Sequence, residues 1–158
     1  MLAVTDWAVT GPGVSVMLDR ATLSAEHRAL MDLAAELLGA IGQDRAEPER
    51  IARIRWNMTR ELLAHLAKED KLLYPSLKTG QDPRASAMAT RFAAEMGDLA
   101  DSYRAYIANW SAERMAREWI AFGMETRRIM QALGKRIERE ESVLYPMIPT
   151  AAPGRYAA

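Results

Sequence analysis

One eleven-residue pattern occurs twice in this chain, and it restricts the fold more than any other feature. His65-Leu-Ala-Lys-Glu69-Asp-Lys-Leu-Leu-Tyr74-Pro75 is the first copy, and Arg136-Ile-Glu-Arg-Glu140-Glu-Ser-Val-Leu-Tyr145-Pro146 is the second. A looser match joins Ala25-Glu26-His27-Arg-Ala-Leu30 to Ala94-Glu95-Met96-Gly-Asp-Leu99. A chain that repeats itself in this order is expected to fold as two equivalent helix pairs. Helices one and three then correspond, as do helices two and four, and equivalent positions converge near a pseudo-twofold axis.

Apolar periodicity supports four helices. The first is expected from about Ser24 to Ile41, ending at Gly42. The second opens at Pro48, a residue suited to a first helical turn, and runs to about Tyr74. The third opens with Asp82-Pro83, a capping residue and a first-turn proline, and runs to about Trp110. The fourth runs from Ser111 to about Met147, roughly 50 Å at ~1.5 Å rise per residue. No segment alternates with period two, and the connections are short. The fold class is therefore all-α, an up-down-up-down antiparallel four-helix bundle. An arm (1–20) precedes the bundle (21–150), and a tail (151–158) follows it. In the arm, Trp7 and Val14 to Met17 are candidates to pack across the helices.

The buried stripes follow three-four spacing. They read Leu23, His27, Leu30, Ala34, Leu37 and Ile41 on the first helix. On the second they read Ile51, Ile54, Met58, Leu62, His65, Glu69 and Leu72. The third contributes Ala89, Phe92, Met96, Leu99, Tyr103, Tyr106 and Trp110. The fourth contributes Met115, Trp119, Phe122, Thr126, Ile129, Leu133, Arg136, Glu140 and Leu144. Both histidines of the chain lie on these stripes, with Glu69, Glu140 and Arg136. Ionisable groups inside a bundle are costly unless paired, hydrogen-bonded or bound to metal. Phe92, Tyr103, Tyr106 and Trp110 are expected to pack against Trp119 and Phe122. Tyr74 and Tyr145 are expected to close one end of the bundle.

Composition narrows the chemistry. Formal net charge is zero, so no basic field points to nucleic acid or to an anionic membrane. Cysteine is absent, which leaves His, Asp and Glu as metal ligands. No apolar run is long enough to span a membrane. The first residues lack the basic start and apolar stretch of a secretory signal, so a cytoplasmic location is expected. No nucleophile motif, phosphate-binding loop or nucleic-acid motif occurs, and an enzymatic reading would rest on a metal alone.

His65 and Glu69 sit four residues apart, one helical turn, so both can reach a single metal from one face. His27 on the neighbouring helix would add a second imidazole, and Glu140 a second carboxylate. That set suffices for one iron, zinc or manganese ion. On these residues, Glu26-His27, His65-x-x-x-Glu69 with Leu-Tyr-Pro, and the second Leu-Tyr-Pro repeat around Glu140, the chain resembles the hemerythrin-like family of HHE cation-binding domains over about residues 20 to 147. The resemblance implies a four-helix bundle, and in its usual form a non-haem di-iron centre held by about five histidines and two carboxylates. It also implies roles in oxygen binding, iron or redox sensing, nitric-oxide handling and repair of iron centres.

The departures from that pattern fall on the ligands. The family's pattern calls for a histidine near Met96 and another at Arg136, and neither is present. A normal di-iron centre is not expected. In the first reading, Arg136 takes the place of a metal, pairing with Glu140 and Glu69 in a metal-free core network. The protein is then non-enzymatic and without cofactor, with a sensing, stress or signalling role through protein contacts. In the second, His27, His65, Glu69 and Glu140 hold one non-haem iron or zinc for redox or gas sensing, with Arg136 beside it. The protein partner is not named by the sequence, and a homodimer stays open.

Overall fold

The computed structural model describes residues 18–149. The expected roles of Trp7, of Val14 to Met17 and of the tail therefore lie outside the described residues. The described residues form helices without strands. In chain order these are α1 (Arg20–Ile41), α2 (Pro48–Lys68), a π-helical turn π1 (Glu69–Leu73), α3 (Tyr74–Thr79), α4 (Pro83–Met96), α5 (Leu99–Asn109), α6 (Ala112–Arg117), α7 (Trp119–Arg139), a second π turn π2 (Glu140–Leu144) and a closing 3₁₀ turn (Tyr145–Met147). They compose four rods: α1, then α2–π1–α3, then α4–α5, then α6–α7–π2. The first rod packs on α2 and α7, α3 on α4, and α5 on α7.

The helix ends follow their local chemistry. The first helix begins at Arg20, earlier than the periodicity suggests, because Asp19 caps it by accepting from the Thr22 amide at 2.9 Å. Pro48 and Pro83 occupy first turns, Asp82 caps α4, and Ser111 caps α6 through the Arg114 amide.

Two of the expected continuous helices are interrupted. The third rod breaks at Gly97-Asp98, where a Cβ on Gly97 would stand 2.3 Å from the Ala93 carbonyl oxygen. The fourth breaks at Glu118, whose backbone (φ −122°, ψ 45°) leaves the helical region.

The π turns alter the expected core. Leu72, expected to be buried, is 41% exposed, and Leu73 takes the core position at 2%. In π1 the Tyr74 amide donates to the Glu69 carbonyl, five residues back, and Tyr145 does the same to Glu140 in π2. A wider turn delays the inward face by about one residue.

The core consists of two apolar clusters. The larger gathers Leu30, Leu37, Ile54, Met58, Tyr103, Tyr106, Trp110 and Phe122. The smaller gathers Leu23, Leu73, Tyr74, Leu77, Phe92, Met96, Leu144 and Tyr145 at the end of the bundle carrying both π turns. Phe122 lies against Trp110, Trp119 and Tyr106 with ring centroids 5.5, 5.7 and 6.2 Å away, as the aromatic stripe predicts. Phe92 belongs instead to the smaller cluster, with the Arg139 guanidinium over its ring. Trp119 is half-buried rather than core. The polar cluster sits where the two apolar regions meet: along α1, His27 lies between Leu23 of one and Leu30 of the other.

Candidate metal centre

Each rod delivers its part of the site through its own periodicity. On α1 the stripe turns His27 inward; on α2 it turns His65 inward, and Glu69 follows one turn later at the start of π1. On α7 Arg136 points inward, with Glu140 one turn later at the start of π2. All five residues are at most 2% exposed.

The π turns also recruit the two tyrosines. On an α-helix, residues five apart point about 140° from one another. With the wider turn between them, Glu69 and Tyr74 are both buried, and so are Glu140 and Tyr145. The hydroxyls then cross between the halves. Tyr74 donates to Glu140 Oε1 at 2.6 Å, and Tyr145 donates to Glu69 Oε1. The sequence reading had the tyrosines closing the bundle; their rings do belong to the apolar cluster there, and their hydroxyls enter the polar site as well.

Beyond this shared frame the halves differ. On one side Arg136 spends its guanidinium on four acceptors. Nε donates to Glu140 Oε1 at 2.7 Å, and Nη2 donates to Glu69 Oε2 at 2.9 Å and to Asp70 Oδ1 at 2.8 Å. Nη1 reaches the Met96 backbone carbonyl at 3.2 Å. This carbonyl is among the last of α4, which have no partner within the helix. Met96 thus contributes its backbone here, while its side chain packs in the apolar cluster.

On the other side stand the two imidazoles. His27 Nδ1 lies 2.7 Å from Glu141, which also accepts from the Ser24 hydroxyl. His65 Nδ1 lies 2.7 Å from Glu26, which is paired with Lys68. A carboxylate on Nδ1 holds the proton there, so that in the neutral ring Nε2 is a lone pair directed inward. His27 Nε2 is 3.3 Å from Glu140 Oε2 and 3.7 Å from Glu69 Oε1, and His65 Nε2 is 3.2 Å from Glu69 Oε1. Two of these buried atoms, His65 Nε2 and Glu140 Oε2, have no hydrogen-bond partner.

The electrostatics follow from this packing. Burial pushes the Glu69 carboxyl up, but His65 and Arg136 outweigh it and hold it at about 2. Burial pushes Glu140 upward too, and the neighbouring Glu69 charge adds to the shift. Burial works against the charged form of His65, yet Glu69 and Glu26 overcome it and raise its pKa. Both tyrosine hydroxyls are pushed far above their ordinary range, first by burial and then by the carboxylates. Around the site, the carboxylates of Glu26, Glu69, Asp70, Glu140 and Glu141 face two fixed cations among the described residues, Arg136 and Lys68. With neutral imidazoles, three negative charges are uncompensated.

The donor set fits one cation and not two. One ligand atom from each of His27, His65, Glu69 and Glu140 lies within 4.8 Å of every other. The separations of 3.2, 3.3 and 3.7 Å are near the edge of a tetrahedron, about 3.3 Å for metal–ligand bonds of about 2.0–2.1 Å. On the Arg136 side there is no further histidine, and the guanidinium fills the space between the carboxylates.

All five residues singled out from the sequence thus meet in one place. The sequence reading missed the outer carboxylates. Glu26 directly precedes His27, Glu141 directly follows Glu140, and Asp70 directly follows Glu69. The acidic pairs in the repeat were the available signal. Among the described residues, no helix is long and apolar enough to cross a membrane.

Comparison with curated proteins and with solved structures found no match. The family model of the hemerythrin HHE cation-binding domain matches residues 19–148, most of the chain and all of the site. With that match over most of its length, the chain belongs to the hemerythrin HHE cation-binding family.

Proposed function

We propose that the protein binds one divalent transition-metal ion per chain, iron(II) foremost, through His27, His65, Glu69 and Glu140, and acts as a redox or gas sensor without turnover. The observation that carries this reading is the pair of buried, unpartnered atoms, His65 Nε2 and Glu140 Oε2, within one prospective ligand set. Leaving a polar group buried without a partner costs about 1–3 kcal/mol each, more if charged. A cation between them removes that cost and offsets the excess negative charge. Imidazole and carboxylate together suit iron, zinc and manganese.

Bound iron would supply a reversible one-electron couple. The chain's own groups do the rest. Glu141 and Glu26 fix the ring orientation and tautomer of His27 and His65. Arg136 holds Glu140 and Glu69 through the oxygens Oε1 and Oε2, respectively, and stands as a permanent second cation where another metal would otherwise be needed. The apolar clusters above and below limit access of water.

The metal-free reading draws its support from the four acceptors of Arg136, which satisfy much of the carboxylate demand. With neutral imidazoles it leaves His65 Nε2 and Glu140 Oε2 without partners, which is why it ranks second. The two readings separate in a melting experiment. Ferrous or zinc ion at about 100 times Kd stabilises a single-site protein by about 2.7 kcal/mol. The metal should raise the Tm of the wild type and leave His65→Ala unchanged. Identical wild-type melting with metal and with chelator would refute metal binding and return the search to protein partners.

A further inference from the structure

We infer that Tyr145 is a fifth ligand of the bound ion, coordinating through its phenolate oxygen, whereas its repeat partner Tyr74 is not a ligand. This rests on the single-cation reading. The Tyr145 ring is fully buried and stacks on His27, with centroids 4.9 Å apart and an interplanar angle of 4°. Its hydroxyl touches two atoms of the ligand set: it donates to Glu69 Oε1 and lies 3.1 Å from His27 Nε2.

The second contact is the informative one. The hydroxyl has one proton, and Glu69 receives it. On its other side, His27 Nδ1 lies 2.7 Å from Glu141. The Tyr145 oxygen, its proton given to Glu69, thus stands 3.1 Å from His27 Nε2, close to the unpartnered atoms His65 Nε2 and Glu140 Oε2. An oxygen so placed can join the ligand set when a cation is held there. When the ion binds, the Tyr145 O–H bond breaks, an oxygen–metal bond forms, and the proton leaves to solvent. Phenolate is a hard oxygen donor of the kind iron accepts.

Tyr74 occupies the equivalent position in the other half, and its surroundings differ. Its hydroxyl donates to Glu140 Oε1, the oxygen that Arg136 Nε already holds, and the Arg136 guanidinium lies 5.3 Å from its ring centroid. Tyr74 therefore faces the arginine and Tyr145 faces the ion. The asymmetry at positions 65 and 136 is passed on to the two Leu-Tyr-Pro motifs.

The test is spectroscopic. Full-length protein is loaded anaerobically with ferrous iron, desalted, assayed for iron and oxidised with ferricyanide, which takes one electron from each Fe(II) to give Fe(III) and ferrocyanide. Ferric wild type should show a visible phenolate-to-iron charge-transfer band, with tyrosine ring modes enhanced in resonance Raman spectra. Tyr145→Phe should lose the band while keeping iron, and Tyr74→Phe should keep both. Iron-loaded wild type without phenolate modes overturns the Tyr145 assignment and leaves the single-cation reading standing, and so does a band that survives in Tyr145→Phe. A wild type that takes up no iron overturns both. Should Tyr145→Phe fold poorly, ring-deuterated tyrosine in Tyr74→Phe decides: shifted tyrosine modes there support Tyr145, and their absence refutes it.

Discussion

Replacing Arg136 by methionine removes the one buried fixed cation among the described residues while roughly keeping its volume. The guanidinium is 1% exposed and donates to Glu140, Glu69, Asp70 and the Met96 carbonyl. Asp70 is partly exposed and can turn to water, and Glu140 Oε1 retains the Tyr74 hydroxyl. Glu69 Oε2 loses its only partner in a site where the carboxylate is wholly buried. Breaking a buried pair from one side costs about 3–5 kcal/mol. At ~2–4 °C per kcal/mol for a chain of this size, Tm should fall by roughly 6–20 °C. The assay is urea unfolding of chelator-treated protein at pH 7, with Glu140→Gln and the double variant completing a cycle. The double variant should recover part of the loss, because it also removes a carboxylate left without its cation. Without Arg136 both carboxyls bind protons more readily than they do in the folded wild type. The deficit should therefore shrink as pH falls from 7 towards 5. A loss below about 1 kcal/mol, or a deficit that grows on acidification, would refute the view of Arg136 as a structural cation.

Three further outcomes follow from the same geometry. Glu141→Gln should weaken metal affinity by about 10–100-fold without changing stoichiometry, because His27 loses the carboxylate that fixes its tautomer; competition against a chromophoric chelator measures this. Metal-free and metal-loaded protein should respond oppositely to pH. The raised pKa of His65 contributes stability that is fully present below its ordinary value near 6.5 and is lost as pH rises through the folded value. Metal competes with that proton, so the stabilisation by added ion should grow over the same pH range, as melting at pH 6 and pH 8 with and without zinc would show. Gly97→Ala should destabilise the fold, since its Cβ would meet a backbone oxygen at 2.3 Å and backbone cannot swing aside; wild-type stability in urea would contradict the account of the α4–α5 break.

Much of this site was legible in the sequence, for a definite reason. His27, His65, Glu69, Arg136 and Glu140 lie on apolar stripes, so helical periodicity alone turned them inward, and the duplicated Leu-Tyr-Pro pattern brought both halves together. What escaped was whatever departs from that period. A π turn differs from an α turn by one hydrogen bond and has no composition of its own. Leu72 therefore looked buried, although the repeat itself pairs Leu73 with the correctly placed Leu144. The same turn hid the tyrosine hydroxyls, which an uninterrupted helix would have pointed elsewhere. Glu26 and Glu141 lie beside the buried stripes, so the helical period assigned them no part in the site. Their part depends on the tautomer of a histidine across the chain, which no local pattern encodes. The breaks at Gly97 and Glu118 left the stripes on either side continuous, so apolar spacing passed over them.

The account turns on how many metal ions the four converging side chains hold. Elemental analysis of tag-free protein, incubated anaerobically with ferrous iron and then desalted, measures this directly. One iron per chain, lost in His65→Ala, is the expected result. Two per chain would show that Arg136 does not exclude a second ion. No iron, with zinc and manganese also absent after the same treatment, would show that Arg136 and the tyrosines satisfy the site without any metal.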